Sequence, residues 1–187
     1  MAQTLLYTAR VRTLLERLEA HRPQDEREAA DLERMQRAAR RVPLPTGRND
    51  FPEHFTGSAV VVSADGRRVC LVLHAKLNRW LQPGGHCEPA DAGDLSATAL
   101  REAREETGLS VALEGELLDV DAHVIPARKD EPEHTHLDCR FLVRQTGGEL
   151  AHDPNESHGA QWLSWDEALA RADEAPLRRL LAKALSP

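Results

Sequence analysis

Apolar and polar residues first alternate with a helical period. Val11, Leu14, Leu15 and Leu18 recur at i, i+3, i+4 and i+7, which predicts a helix over residues 3–21. His21-Arg22-Pro23 breaks it, because the residue before proline is pushed out of the helical region. Leu32, Met35, Ala39 and Val42 resume the period and predict a second helix over 24–41, with acids at its start that suit the helix dipole. The two would form a helical hairpin over residues 1–50, and the turn-rich stretch 43–54 reads as a linker.

Beyond the linker the period shortens. Ser58 to Ser63 and Arg67 to His74 are β-rich and flank Ala64-Asp65-Gly66, a hairpin signal. Residues 75–94 read as a long loop containing Pro83-Gly84-Gly85, followed by a helix from about Ser96 to Thr107 that Gly108 is placed to end. Strands are predicted at Val111 to Val124 in one or two pieces, His136 to Arg144 and Gln161 to Ser164, with short helices near 165–172 and 176–185. Strands and helices mix without regular βαβ alternation. The fold class expected is therefore α+β, a mixed sheet with helices packed on it, in a domain over residues 51–187.

Charge changes this picture in one respect. The formal net charge is −7, which removes the basic footprint that a nucleic-acid binder needs. The excess is confined to one part: residues 1–50 carry ten bases against eight acids, the remainder fourteen against twenty-three. A bound cation would relieve that repulsion. No apolar run approaches membrane-spanning length, and the first twenty residues carry Arg10, Arg12, Glu16 and Glu19 where a secretory segment would be apolar. A cytoplasmic location is expected. Cys70, Cys87 and Cys139 show no paired metal-site spacing and read as free thiols.

The chemistry concentrates in Arg101-Glu102-Ala103-Arg104-Glu105-Glu106-Thr107-Gly108-Leu109. On a helix Glu102, Glu105 and Glu106 stand at i, i+3 and i+4 and share a face. Such a run alone is most often a solvated, salt-bridged surface. Gly84-Gly85 upstream and the immediate Gly108-Leu109 stop favour a site instead. Three adjacent carboxylates repel one another until a hard divalent cation, Mg²⁺ or Mn²⁺, sits between them. Arg101 and Glu105 form an i, i+4 pair that can brace a ligand carboxylate.

These residues resemble the Nudix box, G-x5-E-x7-R-E-U-x-E-E-x-G-U with U aliphatic. Arg101, Glu102, Glu105, Glu106, Gly108 and Leu109 match its second half, Ala103 fills a U position and Gly85 fits the leading glycine. Asp91 stands where the family has glutamate, and nine residues rather than seven separate it from Arg101. The resemblance implies a mixed sheet sandwiched between helices, with the N-terminal hairpin outside it, and Mg²⁺-dependent hydrolysis of a nucleoside diphosphate derivative. Glu105 and Glu106 are implied as metal ligands, Glu102 as ligand or base, the Gly84 carbonyl as a further ligand, and Glu156 as an acid from outside the box. Relatives often dimerise, so a homodimer is also implied. Rival readings are a nucleotide-sensing domain without turnover and an isomerase using Cys87, as in a related isomerase of this fold.

Further candidate residues stand beside the box. Gly85 and Trp80 could contact substrate, Trp80 by stacking, although Trp80 and Phe55 read equally as core. His134, His136 and Asp138 would share one side of an extended strand. Two histidines at i, i+2 can bind zinc, but no further ligand stands out, so His136 is read as facing substrate.

Overall fold

The computed structural model describes residues 13–41, 43–128 and 131–186. Residues 13–20 are helical (α1), so the first predicted helix is seen over its second half, and Val11 lies outside the described residues. Helix α2 runs Glu26–Ala39, its first turn capped by the Asp25 carboxylate, which accepts from the Glu28 amide. The strands are β1 (Glu53–Val62), β2 (Arg68–His74), β3 (Arg79–Leu81), β4 (Gly84–His86), β5 (Ser110–Ile125), β6 (His134–Gly147) and β7 (Ser157–Ser164). Helices α3 (Leu95–Thr107), α4 (Trp165–Arg171) and α5 (Ala175–Leu185) complete the chain. None of the described helices is long and apolar enough to cross a membrane.

All seven strands belong to one mixed sheet, ordered β3-β2-β1-β6-β5, with β4 beside β1 and β7 beside β2. Strands β1 and β6 are parallel and in register from Glu53↔Thr135 to Val62↔Arg144, and the other pairs are antiparallel. The predicted first strand thus begins five residues earlier, inside the supposed linker, because its partner β6 extends to His134. The predicted 75–94 loop contains β3 and β4, each three residues long and too short to show a period.

Alternation along the central strands builds two cores. Phe55, Ala59 and Val61 of β1 join Leu137, Cys139 and Phe141 of β6, and Ala99 and Ala103 of α3 pack with them. Val60, Val62 and Leu142 point the other way, toward Leu177, Leu180 and Leu181 of α5. The sheet is therefore sandwiched between helices, as the class required. The N-terminal helices are part of the packing: Leu14, Leu18, Leu32 and Met35 share the first core. They are also held by charge. Glu28 of α2 is fully buried and meets Lys183 and Arg179 of α5, which reach Asp119 of β5 at 3.0 and 2.8 Å.

Candidate active site

Helix α3 is placed by its ends. The Asp94 carboxylate caps its start, and Gly108, at φ 68°, adopts the left-handed conformation that ends it and turns the chain into β5. Its Ala99 and Ala103 are buried on the sheet side. Strand β4 runs antiparallel to β1, with Ser58↔Gly84 and Thr56↔His86 in register, and lies against α3.

This packing draws together Glu102, Glu106 and Glu156, whose carboxylate oxygens lie within 4.8 Å of one another. Glu102 and Glu106 are buried, while Glu156 is exposed in the loop that leads into β7. The Gly84 amide donates to Glu106 at 2.7 Å. Glu105 stays outside the group: its carboxylate is exposed and accepts from Arg101 Nη1 at 2.8 Å. Helix geometry explains the split. At about 100° per residue, Glu106 lies about 40° from Glu102 on one side and Glu105 about 60° on the other, away from β4.

Arg101 is the hub of the loop. It donates to Glu102 at 2.9 Å, to the His86 carbonyl at 2.8 Å and to Asp91 at 2.9 Å. Asp91 also accepts from the Glu88 amide and the Thr98 hydroxyl. Burial alone would raise the Asp91 carboxyl, but Arg101 and these donors hold it below the usual range. The two extra residues after Asp91 therefore leave it tying the loop to the helix.

The cluster is compensated only in part, by Arg101 beside Glu102. Burial lifts Glu106 to about 8 against the pull of the Gly84 amide, and Glu102 and Glu156 push the same way. Burial lifts Glu102 to about 7, although Arg101 lowers it. Two buried carboxylates pushed toward protonation, with a Glu156 oxygen beside them, fit a divalent cation, which would restore the charged forms of Glu102 and Glu106.

Gly85 is required by space. A Cβ there would fall 2.5 Å from Glu102 Oε1. Because that contact is with the end of a side chain, Gly85→Ala should fold, with Glu102 swung out of the cluster. Turnover should drop about 100-fold, the order of loss that a misplacement of about 1 Å produces, with little change in Tm. A large fall in Tm with unchanged turnover per folded molecule would contradict this.

The remaining residues lie elsewhere. Trp80 packs against the second core with the Arg171 guanidinium 4.8 Å above its ring, and Phe55 is fully buried. Cys87 is half-buried, its thiol raised by burial and directed at the Glu88 carbonyl. Asp138 turns inward, accepting from Thr56 and Ser58 and pairing with Arg140 at 2.9 Å. His136 sits with His54 and His86. Burial lowers His86 to about 4 and His136 to about 2, and it lowers His54 as well. Neither His54 nor His86 stood out in the sequence. His54 fell in the supposed linker, and the register that sets it beside His136 is a long-range property.

The NUDIX domain family matches residues 53–184, more than half of the chain. The chain belongs to the Nudix family. A Lactococcus lactis protein named for DHNTP pyrophosphohydrolase activity is 35% identical over 108 residues, 54% of this chain and 60% of its own length. The CMP-5'-(N-acetyl-N-hydroxy-3-aminopropyl)phosphonate hydrolase of Streptomyces rubellomurinus is 32% identical over 138 residues, 68% of this chain and 61% of its own length. This Nudix chain thus spans only about three fifths of these curated relatives. A solved NUDIX hydrolase from Clostridium perfringens is 27% identical, with a TM-score of 0.52, over 70% of this chain and 95% of its own.

Proposed function

We propose that this Nudix domain is a Mg²⁺-dependent hydrolase of a diphosphate linkage in a nucleoside diphosphate derivative. The class includes nucleotides, nucleotide sugars such as ADP-ribose and dinucleoside polyphosphates. The observation that carries the reading is the convergence of Glu102, Glu106 and Glu156, two of them buried, with the Gly84 amide fixing Glu106. Those three carboxylates would hold the ion, with the Gly84 carbonyl as a backbone ligand, and Mn²⁺ would serve in place of Mg²⁺. When bound, the ion supplies neutralisation of the diphosphate charge and a lowered pKa for a coordinated water.

The chain's own residues do the rest. Arg101 positions Glu102 and, through Asp91 and the His86 carbonyl, the loop that carries Gly84 and Gly85. Glu105, held by Arg101, braces that arrangement from the solvent side. Where Glu106 and Glu156 alone hold the ion, Glu102, fixed by Arg101, is the carboxylate that would accept the proton of an attacking water. The names of the two curated relatives, a pyrophosphohydrolase and a hydrolase of a CMP-linked phosphonate, support a nucleotide-like substrate.

Product analysis on a panel tests this reading. ADP-ribose, nucleotide sugars, dinucleoside polyphosphates, coenzyme A and nucleoside triphosphates would each be incubated with Mg²⁺, Mn²⁺ or chelator. Metal-dependent release of a nucleoside monophosphate is expected from at least one class and should vanish with chelator. Tight binding of one compound without any turnover would overturn the reading in favour of a ligand-sensing domain.

A further inference from the structure

The first strands carry a second cluster that the carboxylate site does not use. His54 on β1 lies directly across from His136 on the parallel strand β6. His86 on β4 pairs with Thr56, two residues along β1 from His54 and on the same face. Each ring offers one nitrogen, and the three nitrogens lie within 4.8 Å of one another. The ring centres are 5.1 Å apart for His54–His86, 4.9 Å for His54–His136 and 4.9 Å for His86–His136.

We infer that His54, His86 and His136 form a metal centre for a divalent transition ion, Zn²⁺ foremost, separate from the carboxylate cluster.

The ring spacing fits this directly. With a metal–nitrogen distance of about 2.0–2.1 Å and a ring centre about 1.1 Å beyond the nitrogen, three imidazoles on a tetrahedral ion have centres about 5 Å apart. The polar state of His54 points the same way. Its side chain is fully buried, and its Nε2 has no hydrogen-bond partner among the described residues. Its Nδ1 faces the Asp50 carbonyl at 3.3 Å, a group that only accepts, so the proton sits on Nδ1 and Nε2 presents a lone pair to the cluster. A buried, unpartnered nitrogen is costly unless something binds it.

The surroundings resemble an outer layer of support. The carbonyl of Pro132 faces His134 Nδ1 at 2.8 Å, which leaves His134 Nε2 directed at His136 Nε2, 3.2 Å away. His123 is held by Asp121 at 2.9 Å, its ring 5.4 Å from that of His136. Three imidazoles with no carboxylate in the set select a borderline ion over Mg²⁺, and three protein ligands leave one position for water or an anion. The centre would pin β4, whose other end carries the Gly84 amide, to β1 and β6.

The test uses the full chain, stripped with chelator and loaded with Co²⁺ as a coloured reporter. One equivalent should give the strong visible bands of nitrogen-ligated tetrahedral Co²⁺, and one equivalent of Zn²⁺ should bleach them. The bands should be lost in His86→Gln and in His136→Gln and kept in Glu106→Gln. On the unsubstituted protein, Zn²⁺ should shift the side-chain ¹⁵N resonances of His54, His86 and His136, a readout that needs no variant to fold. Absence of the bands, their survival in both histidine variants, their loss in Glu106→Gln, or unmoved histidine resonances would overturn the inference.

Discussion

Glu106→Gln should leave a folded protein whose turnover falls by roughly 100- to 1,000-fold, the scale of losing one preorganised electrostatic contributor at a reacting centre. Glutamine keeps the shape, and its Oε1 can still accept from the Gly84 amide, which reaches Glu106 at 2.7 Å. What disappears is one negative charge from the group that would hold the ion. Stability should move the opposite way. The Glu106 carboxyl stands at about 8 in the folded chain against an ordinary 4.5, so the native state binds more protons than the unfolded state between those values. Metal-free wild-type protein therefore loses stability as pH rises from about 4.5 through about 8, and the glutamine variant is spared that loss. In chelator the variant's Tm should exceed wild type's at pH 8, with the gap closing toward pH 5. Added Mg²⁺ should raise wild type more than the variant. Near-normal turnover in a folded Glu106→Gln protein would remove the proposed site, and parallel pH profiles would remove its electrostatic basis.

The parts of this site that the sequence shows are those built within one element. Glu102 and Glu106 are one helical turn apart and Gly108 stops the helix, so their common side follows from helical geometry without knowledge of the sheet. The Arg101–Glu105 pair follows from i, i+4 spacing too, but that Glu105 stays outside the cluster does not, because β4 determines which side of α3 is covered. Glu156 came from family habit, and it reaches the cluster through the loop before β7, fifty residues further along. His54 shows the same limit more sharply. Phe51-Pro52 nearby reads as a turn, yet ten residue pairs along β6 carry β1 back to Glu53 and set His54 beside His136. Nothing in the local pattern around Asp119 and Asp121 signals burial. They are almost fully buried because Arg140 and Arg179 arrive from β6 and α5.

Glu28→Gln should lower stability by about 3 kcal/mol, equivalent to a Tm fall of roughly 6–12 °C for a chain of this size, without changing the carboxylate cluster. Glu28 is an acid in the first turn of a helix, a position usually explained by the helix dipole. Here it is fully buried and receives His21 at 2.7 Å, the Gln24 amide at 2.7 Å and Lys183. Removing its charge leaves Lys183 with Asp119 alone and His21 without its carboxylate. Breaking one side of a buried pair costs more than the pair contributes, because the partner stays desolvated. Burial would raise the Glu28 carboxyl, but His21, Lys183 and the Gln24 amide outweigh it and hold the group well below its ordinary 4.5. Its contribution is therefore present above pH 4.5 and lost as pH falls below that value. Denaturant melts of wild type and variant should differ most near neutrality and converge in acid, and Lys183→Met added to Glu28→Gln should recover part of the loss. Equal stability at pH 7 would show that Glu28 does not hold α2. If the loss is as large as expected, α2 is fixed to α5 and β5 by charge as well as by Leu32 and Met35, and it is a structural wall of the Nudix domain.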